Sequence, residues 1–237
     1  MLSIIIPTLN EEDYLPKLLD SITNQTFKDY EIIIADAGSK DETINIAQSY
    51  RCKIVSGGLP AKGRNEGAKA AIGNALLFLD SDVGLPHIKF IENSINEFNK
   101  RNLDVATFTL LVNRGKKIDK IAVYVWNNWI KLMQKLFPHG ASAFLVKKNI
   151  HESINGFDEG VVFAEDQHYV DRAAKKHKFG VISESIYISL RRYEKDGRFK
   201  TYLRYLIADI HILLLGPIRT NILNYRFDHY KEGKPKN

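Results

Sequence analysis

The sequence predicts an α/β fold in which a mostly parallel β-sheet is covered by helices on both faces. Two observations carry this prediction. Short, continuously apolar runs recur through the first half of the 237 residues, and segments with helical spacing separate them. Strands that are apolar throughout, rather than at alternate positions, belong to sheets buried on both faces.

Residues 2–6 form the first such run, and in the segment near 11–24 Leu15, Leu18, Leu19 and Ile22 fall at helical spacing. Residues 31–35, 53–55 and 75–79 supply three more strands, with helices near 40–50, 64–73 and 86–100 around them. On a helix over about 119–137, Trp126, Trp129, Ile130, Met133, Leu136 and Phe137 recur in three- and four-residue steps. That stripe predicts core packing, with an acceptor wall or a membrane-facing surface as the alternative. A helix over 165–177 and a strand over 186–190 follow. A last helix runs from 199 to about 215, closed by Gly216-Pro217.

Formal charge is +6, from 34 Lys+Arg against 28 Asp+Glu. Residues 191–237 hold 11 of the basic and 5 of the acidic residues, so the remainder is neutral. A neutral body with a basic end excludes a uniformly basic nucleic-acid binder, and the tail contains no recognisable nucleic-acid module. Cys52 is the single cysteine, which excludes an intramolecular disulfide and a cysteine-based zinc site. Residues 1–6 have no basic segment before them, and the apolar stretch 202–218 is broken by Arg204, Asp209 and His211. The expectation is a cytoplasmic protein, soluble or peripheral to the inner face of a membrane.

Sheets of this kind bind ligands at the carboxyl ends of their strands. There the sequence places Pro7-Thr8-Leu9-Asn10-Glu11, then Asp36-Ala37-Gly38-Ser39-Lys40-Asp41, then Asp80-Ser81-Asp82. Two carboxylates one residue apart at a strand end suit a hard divalent cation shared with phosphate oxygens, so Mg²⁺ or Mn²⁺ is expected over zinc. Lys62-Gly63-Arg64-Asn65-Glu66-Gly67 reads as a basic turn opening a helix, fit to hold a diphosphate through backbone N–H groups and Arg64. The glycine fingerprints of P-loop and dinucleotide sites are absent.

The order Pro7-x-x-Asn10-Glu11, Asp36-x-Gly38-Ser39-x-Asp41, Arg64-Asn65-x-Gly67 and Asp80-x-Asp82 resembles the family 2 glycosyltransferases. It continues through Gly140-x-x-x-Phe144, Lys147-Lys148, Gly156-Phe157-Asp158, Glu165-Asp166 and Arg172, while Arg191-Arg192 and Gly197 resemble a small subgroup with a C-terminal helical extension. The resemblance implies an inverting, metal-dependent hexosyltransferase of GT-A fold: a Rossmann-like, mostly parallel mixed sheet flanked by helices. It implies a nucleotide-diphosphate sugar (UDP- or GDP-linked) as donor, Mn²⁺ or Mg²⁺ as cofactor, and a glycan or lipid-linked acceptor. By position, Pro7, Thr8, Asn10 and Glu11 would line the nucleoside pocket, with Asp36 and Gly38 at the base and Arg64 at the base or diphosphate. Asp80 would meet ribose or metal, Asp82 would be the direct metal ligand, and Asp166 the general base. Arg191 or Arg192 would meet the diphosphate; as neighbours after a strand, at most one is expected to face the cleft. Where many members have Asp-Asp-Gly-Ser, this chain has Asp36-Ala37-Gly38-Ser39, which leaves the base open.

The expected organisation is a catalytic domain over 1–195, with a nucleotide-sugar half (1–110) and an acceptor half (111–195), then a basic amphipathic extension over 196–237. That extension would contact the domain core, a second subunit or a membrane. The competing readings are a catalytically silent nucleotide-sugar-binding scaffold and a nucleotidyltransferase; the latter lacks its glycine-rich basic loop after the first strand.

Overall fold

The computed structural model describes residues 1–140 and 142–221. Its strands are β1 (Leu2–Thr8), β2 (Tyr30–Asp36), β3 (Lys53–Ser56), β4 (Ala75–Leu79), β5 (Val105–Leu111), β6 (Ala143–Lys147) and β7 (Phe179–Tyr187). Between the first five lie α1 (Leu15–Thr23), α2 (Thr43–Ser49), α3 (Pro60–Ala70) and α4 (Phe90–Lys100). α5 (Lys117–Met133) joins β5 to β6, and α6 (Lys148–Ser153) and α7 (Glu165–Ala174) join β6 to β7. α8 (Arg191–Lys195) and α9 (Arg198–Leu215) complete the described chain. Residues 222–237 of the expected extension lie outside the described residues.

The strands form one sheet in the order β3-β2-β1-β4-β6-β5-β7. β1 pairs in parallel with β2 and β4, β2 with β3, and β5 with β7, whereas β6 runs antiparallel between β4 and β5. The sheet is therefore mixed and mostly parallel. Chain order departs in opposite directions from β1, toward β2 on one side and β4 on the other. That reversal opens a crevice between the carboxyl ends of β1 and β4.

Period-two alternation explains why both faces are covered. Leu2, Ile4 and Ile6 of β1 enter the core shared with α1, α2 and α4, while Ile5 enters the core beneath α3 and α7. The second core is centred on Phe78, Phe144, Phe157 and Tyr169, with Phe157 stacked on Tyr169 at 4.1 Å between centroids. Fully burying one such aromatic ring contributes roughly 1.5–3 kcal/mol.

Three expectations change. The helix expected to open at residue 64 begins at Pro60, whose fixed φ suits the first helical turn. Gly63 and Gly67 consequently lie inside α3, where they let it approach β1: a Cβ on Gly67 would meet Ile5 Cγ2 at 2.4 Å. The Gly63 N–H is already bonded to Leu59 O, so the expected backbone cradle for a diphosphate is not formed there. The late strand is β7, Phe179–Tyr187, rather than 186–190; it sits at the sheet edge, where Ser183, Glu184 and Ser185 are tolerated. Arg191 begins a helix instead of following a strand.

The stripe expected on the 119–137 helix divides. On α5, which ends at Met133 rather than 137, Ile130 is buried, Trp126 half-buried and Trp129 exposed, and Leu136 and Phe137 in the turn beyond it are exposed. α9 buries Thr201 and Ala208 and packs Tyr205 and Ile212 near Phe163 and Ile218, leaving Phe199, Leu203, Leu206, Ile210 and Leu213 outward. Among the described residues, no helix is long and apolar enough to cross a membrane.

Candidate functional site

The crevice deepens into a cavity of about 730 Å³. Its floor is built by the ends of β1 (Pro7, Thr8, Glu11) and β4 (Asp80, Ser81, Asp82), with Arg64 from α3. Its far wall is built by Trp126 of α5, by Glu165 and Asp166 at the start of α7, and by α8 and α9. Residues more than a hundred positions apart thus share one space.

Arg64 organises the floor. Only 3% exposed, it donates from Nη2 to Asp80 Oδ1 at 2.6 Å and from Nη1 to Glu165 Oε1 at 2.5 Å. Its guanidinium also lies over the rings of Phe157 and Phe144, at 5.5 and 5.9 Å. Burial raises the Asp80 carboxyl above its ordinary range, against the lowering effect of Arg64. The neighbouring Asn65 exchanges two hydrogen bonds with the Phe157 backbone, at 2.8 and 3.0 Å, which ties α3 to the loop between α6 and α7.

Asp166 stands beside this group on the first turn of α7. Burial and the adjacent Glu165 carboxylate push its carboxyl up to about 7. The Gln167 N–H donates to Asp166 Oδ1 at 2.8 Å, and among the described residues no donor takes Oδ2. Ala164, just before the helix, adopts a left-handed conformation at φ 55°. Such a conformation in a non-glycine residue costs on the order of 1 kcal/mol, and here it turns the start of α7 into the cavity.

A second cation closes the opposite side. Arg191 donates to both Glu11 carboxylate oxygens at 2.8 Å, meets Asp82 Oδ2 through Nε at 2.9 Å, and stacks on Tyr14 at 4.6 Å. Burial raises the Glu11 carboxyl, and Arg191 opposes that rise. Arg192 lines the cavity as well. The expectation that at most one of the two faces the cleft is corrected: successive side chains on α8 are about 100° apart, so both reach a concave wall.

Asp36, Gly38 and Asn10 are not on this cavity. Asp36 and Gly38 border an adjoining depression of about 370 Å³ beside β3, and Ala37 lines both spaces. Asp36 accepts from the Gly38 and Ser39 N–H groups at 2.8 Å, from Ser39 Oγ at 2.5 Å and from Thr8 Oγ1 at 2.9 Å. Asn10, at φ 56°, donates its N–H to Ser39 Oγ and accepts from the Lys40 N–H. These contacts make Asn10 and Asp36 the fasteners between two loops.

The donor set suits a hard divalent ion. Asp80 and Asp82 offer oxygen ligands, and the Arg191 guanidinium already holds a positive charge on Asp82. Among the described residues, no three acidic, histidine or cysteine side chains are placed to hold a metal by themselves. Phosphate and water oxygens would have to complete the shell, as is usual for Mg²⁺.

Sequence reasoning missed Tyr193, Tyr205 and Asp209, all on the far wall. Tyr202, Tyr205 and Asp209 recur at i, i+3 and i+7, the one signal that could have found them. His139, not selected from sequence, lies edge-on to Trp126 at 4.5 Å and 4.0 Å from Asp209. Burial lowers the His139 ring to about 4 and raises Asp209 to about 6.

The family model described as Glycosyl transferase family 2 matches residues 3–151. The chain is 38% identical over 214 residues to the poly(ribitol-phosphate) beta-N-acetylglucosaminyltransferase TarS of Staphylococcus aureus, covering 85% of this chain and 37% of that protein. It therefore spans about a third of the length of the poly(ribitol-phosphate) transferases it matches. The mannosyltransferase PcManGT from Pyrobaculum calidifontis, solved with GDP-Man and Mn²⁺, superposes with a TM-score of 0.70 at 16% identity, over 87% of this chain and 61% of that one. The Mycobacterium tuberculosis glucosyl-3-phosphoglycerate synthase, solved with Mn²⁺, UDP and phosphoglyceric acid, gives 0.62 at 17% identity, over 89% and 77%.

Proposed function

Because the chain belongs to glycosyltransferase family 2, we propose that it moves a hexosyl group from a nucleoside-diphosphate sugar to an acceptor hydroxyl, inverting the anomeric carbon. The observation that carries this reading is one cavity lined by Asp80, Asp82 and the Asp166 carboxylate, whose Oδ2 no donor takes among the described residues. UDP- and GDP-sugars are the donor classes. The β-linkage named for the TarS relative is the stereochemistry that inversion of an α-linked donor produces.

Asp82, supported by Asp80, would hold a Mn²⁺ or Mg²⁺ ion together with the diphosphate. When bound, that ion neutralises charge on the leaving group. The remaining chemistry belongs to the chain. Arg64 fixes Asp80 and Glu165 by ion pairing, so the floor is rigid before substrate arrives. Asp166 Oδ2 accepts the proton of the acceptor hydroxyl as the new C–O bond forms. The bond to the diphosphate breaks on the opposite face, and its electron pair leaves with the diphosphate. A carboxyl raised to about 7 is matched to that task near neutral pH. Arg191 and Arg192 meet the departing phosphates, and Trp126, Tyr193, Tyr202 and Tyr205 form an aromatic acceptor wall. Asp36 and Gly38, in the adjoining depression, set the nucleobase end.

The catalytic domain is read as 1–195, divided near residue 110, and residues 196–237 as a C-terminal extension whose α9 docks on the domain through Tyr205, Ala208 and Ile212. Nucleotide release from a panel of UDP- and GDP-sugars with Mn²⁺, followed by an acceptor panel, tests the function. Wild type should release nucleotide from one donor, and Asp166→Asn should transfer to hydroxyl acceptors about 10²–10⁴ times more slowly. A slight effect of Asp166→Asn would point to a phosphate acceptor, which needs no base. No turnover of any donor would refute the reading.

A further inference from the structure

The outward face of α5 has no role in the cavity, yet it is built with a definite chemistry. Ile118, Ile121, Val125, Trp129 and Leu132 recur in three- and four-residue steps along one side, and all are exposed, Leu132 by 81%; Leu136, in the turn after the helix, is 73% exposed. A stripe about 26 Å long on a 17-residue helix is larger than the scattered apolar residues of an ordinary surface.

The charges beside it have one sign. Residues 112–140 contain six Lys+Arg and a single acid, Asp119. Asp119 is fully buried and bonded to Arg198 at 2.9 Å. Lys117, Lys120, Lys131 and Lys135 lie on the flank of the stripe, exposed, and among the described residues none of the four meets a carboxylate. The basic residues of α8 and α9 are differently placed: Arg191 is bound to Glu11 and Asp82, Arg198 to Asp119, and Arg204 to Asp196 at 3.0 Å. Lys200 of α9 is also exposed and meets no carboxylate among the described residues, but a row of four such lysines lies beside the α5 stripe, although the composition places the excess charge at the C-terminal end.

We propose that α5 docks the protein on an anionic lipid surface, with its outward stripe in the interface and its lysines at the headgroups. Charge complementarity selects this occupant. A second copy packed antiparallel, about a two-fold axis perpendicular to the helix, would set lysine row against lysine row. Residues 222–237 carry four Lys+Arg and two Asp+Glu, the wrong sign to cover the stripe. No helix among the described residues can cross a bilayer, so the helix lies on the surface rather than through it. The docking rests on residues outside the cavity and stands or falls apart from the transferase reading.

Flotation on vesicles of phosphatidylcholine, with and without phosphatidylglycerol, tests it using the full chain. The protein should float with the anionic vesicles only, and rising salt should release it. Lys117→Gln with Lys120→Gln should weaken partitioning roughly thirty-fold, and Leu132→Glu should abolish it. Thermal stability and nucleotide-sugar binding of these variants should match wild type, because the substituted side chains are exposed and outside the cavity. Three results would overturn the proposal. One is no preference for anionic vesicles. Another is flotation lost on Leu213→Glu in α9 but kept on Leu132→Glu. The third is a dimer in lipid-free solution that Leu132→Glu converts to a monomer.

Discussion

Replacing Arg64 by methionine keeps most of the side-chain volume and deletes the one cation between Asp80 and Glu165. Both ion pairs are short, at 2.6 and 2.5 Å, and Arg64 is 3% exposed. Removing one partner of a buried pair costs about 3–5 kcal/mol, because the remaining charge is uncompensated. For a chain of this size that is a fall on the order of 10 °C in Tm. The loss should depend on pH. Asp80 is already raised by burial against the pull of Arg64, and without that pull its folded pKa rises further. A carboxyl whose folded pKa lies above its unfolded value adds stability at low pH and loses it as pH rises. If the variant binds one proton more than wild type, its deficit shrinks by about 1.4 kcal/mol for each pH unit of acidification. Urea unfolding of both proteins between about pH 8 and pH 6 reads the difference, over a window in which each unit is resolvable. A deficit under about 1 kcal/mol at the upper pH, the scale of an exposed pair, or one that does not fall on acidification, would refute the reasoning.

Asp166→Asn should slow transfer as described and raise Tm more near pH 8 than near pH 5, since burial and Glu165 raise this carboxyl to about 7 and its cost to stability builds from the unfolded pKa of about 4 up to that value. Equal Tm shifts at both pH values would contradict the origin of the raised pKa. Gly67→Ala should destabilise by about 1–3 kcal/mol in chemical denaturation despite the better helix propensity of alanine, because the new Cβ would lie 2.4 Å from Ile5 Cγ2. Asp119→Asn should cost about 2 kcal/mol near neutral pH. Burial acts to raise the Asp119 carboxyl, but hydrogen bonds from Arg198, the Lys116 backbone and Tyr202 outweigh it and hold it low. Its contribution is present above the unfolded pKa and lost as pH falls through the folded one, so the gap should close below about pH 4.

The first half of the chain was legible because its strands are buried on both faces. Ile4, Ile5 and Ile6 are all 0% exposed, and such runs announce themselves without alternation. β7 was misplaced because an edge strand needs fewer apolar residues, and Ser183–Ser185 interrupt the run a reader looks for. α5 misled for a different reason. It is apolar on two faces, one toward Trp126 and the cavity and one toward solvent, so a single stripe drawn through Trp126, Trp129 and Leu136 mixes both. The acidic motifs marked the right strand ends, yet Arg64 between Asp80 and Glu165, and Arg191 on Glu11 across 180 residues, are products of the fold. Asp36 marks the limit of motif reading: the residue stands where the pattern placed it, and its oxygens are engaged by Thr8, Gly38 and Ser39.

On this reading the Asp80–Asp82 floor holds the diphosphate of a nucleotide sugar together with a divalent ion. Calorimetric titration of UDP- and GDP-sugars into the protein, with Mn²⁺ and then with EDTA, tests it most directly. One nucleotide sugar should bind saturably only with Mn²⁺, and Asp82→Asn should lose that binding while unfolding as cooperatively as wild type. Binding of equal strength in EDTA, or undiminished in Asp82→Asn, would contradict the account, as would silence toward every donor.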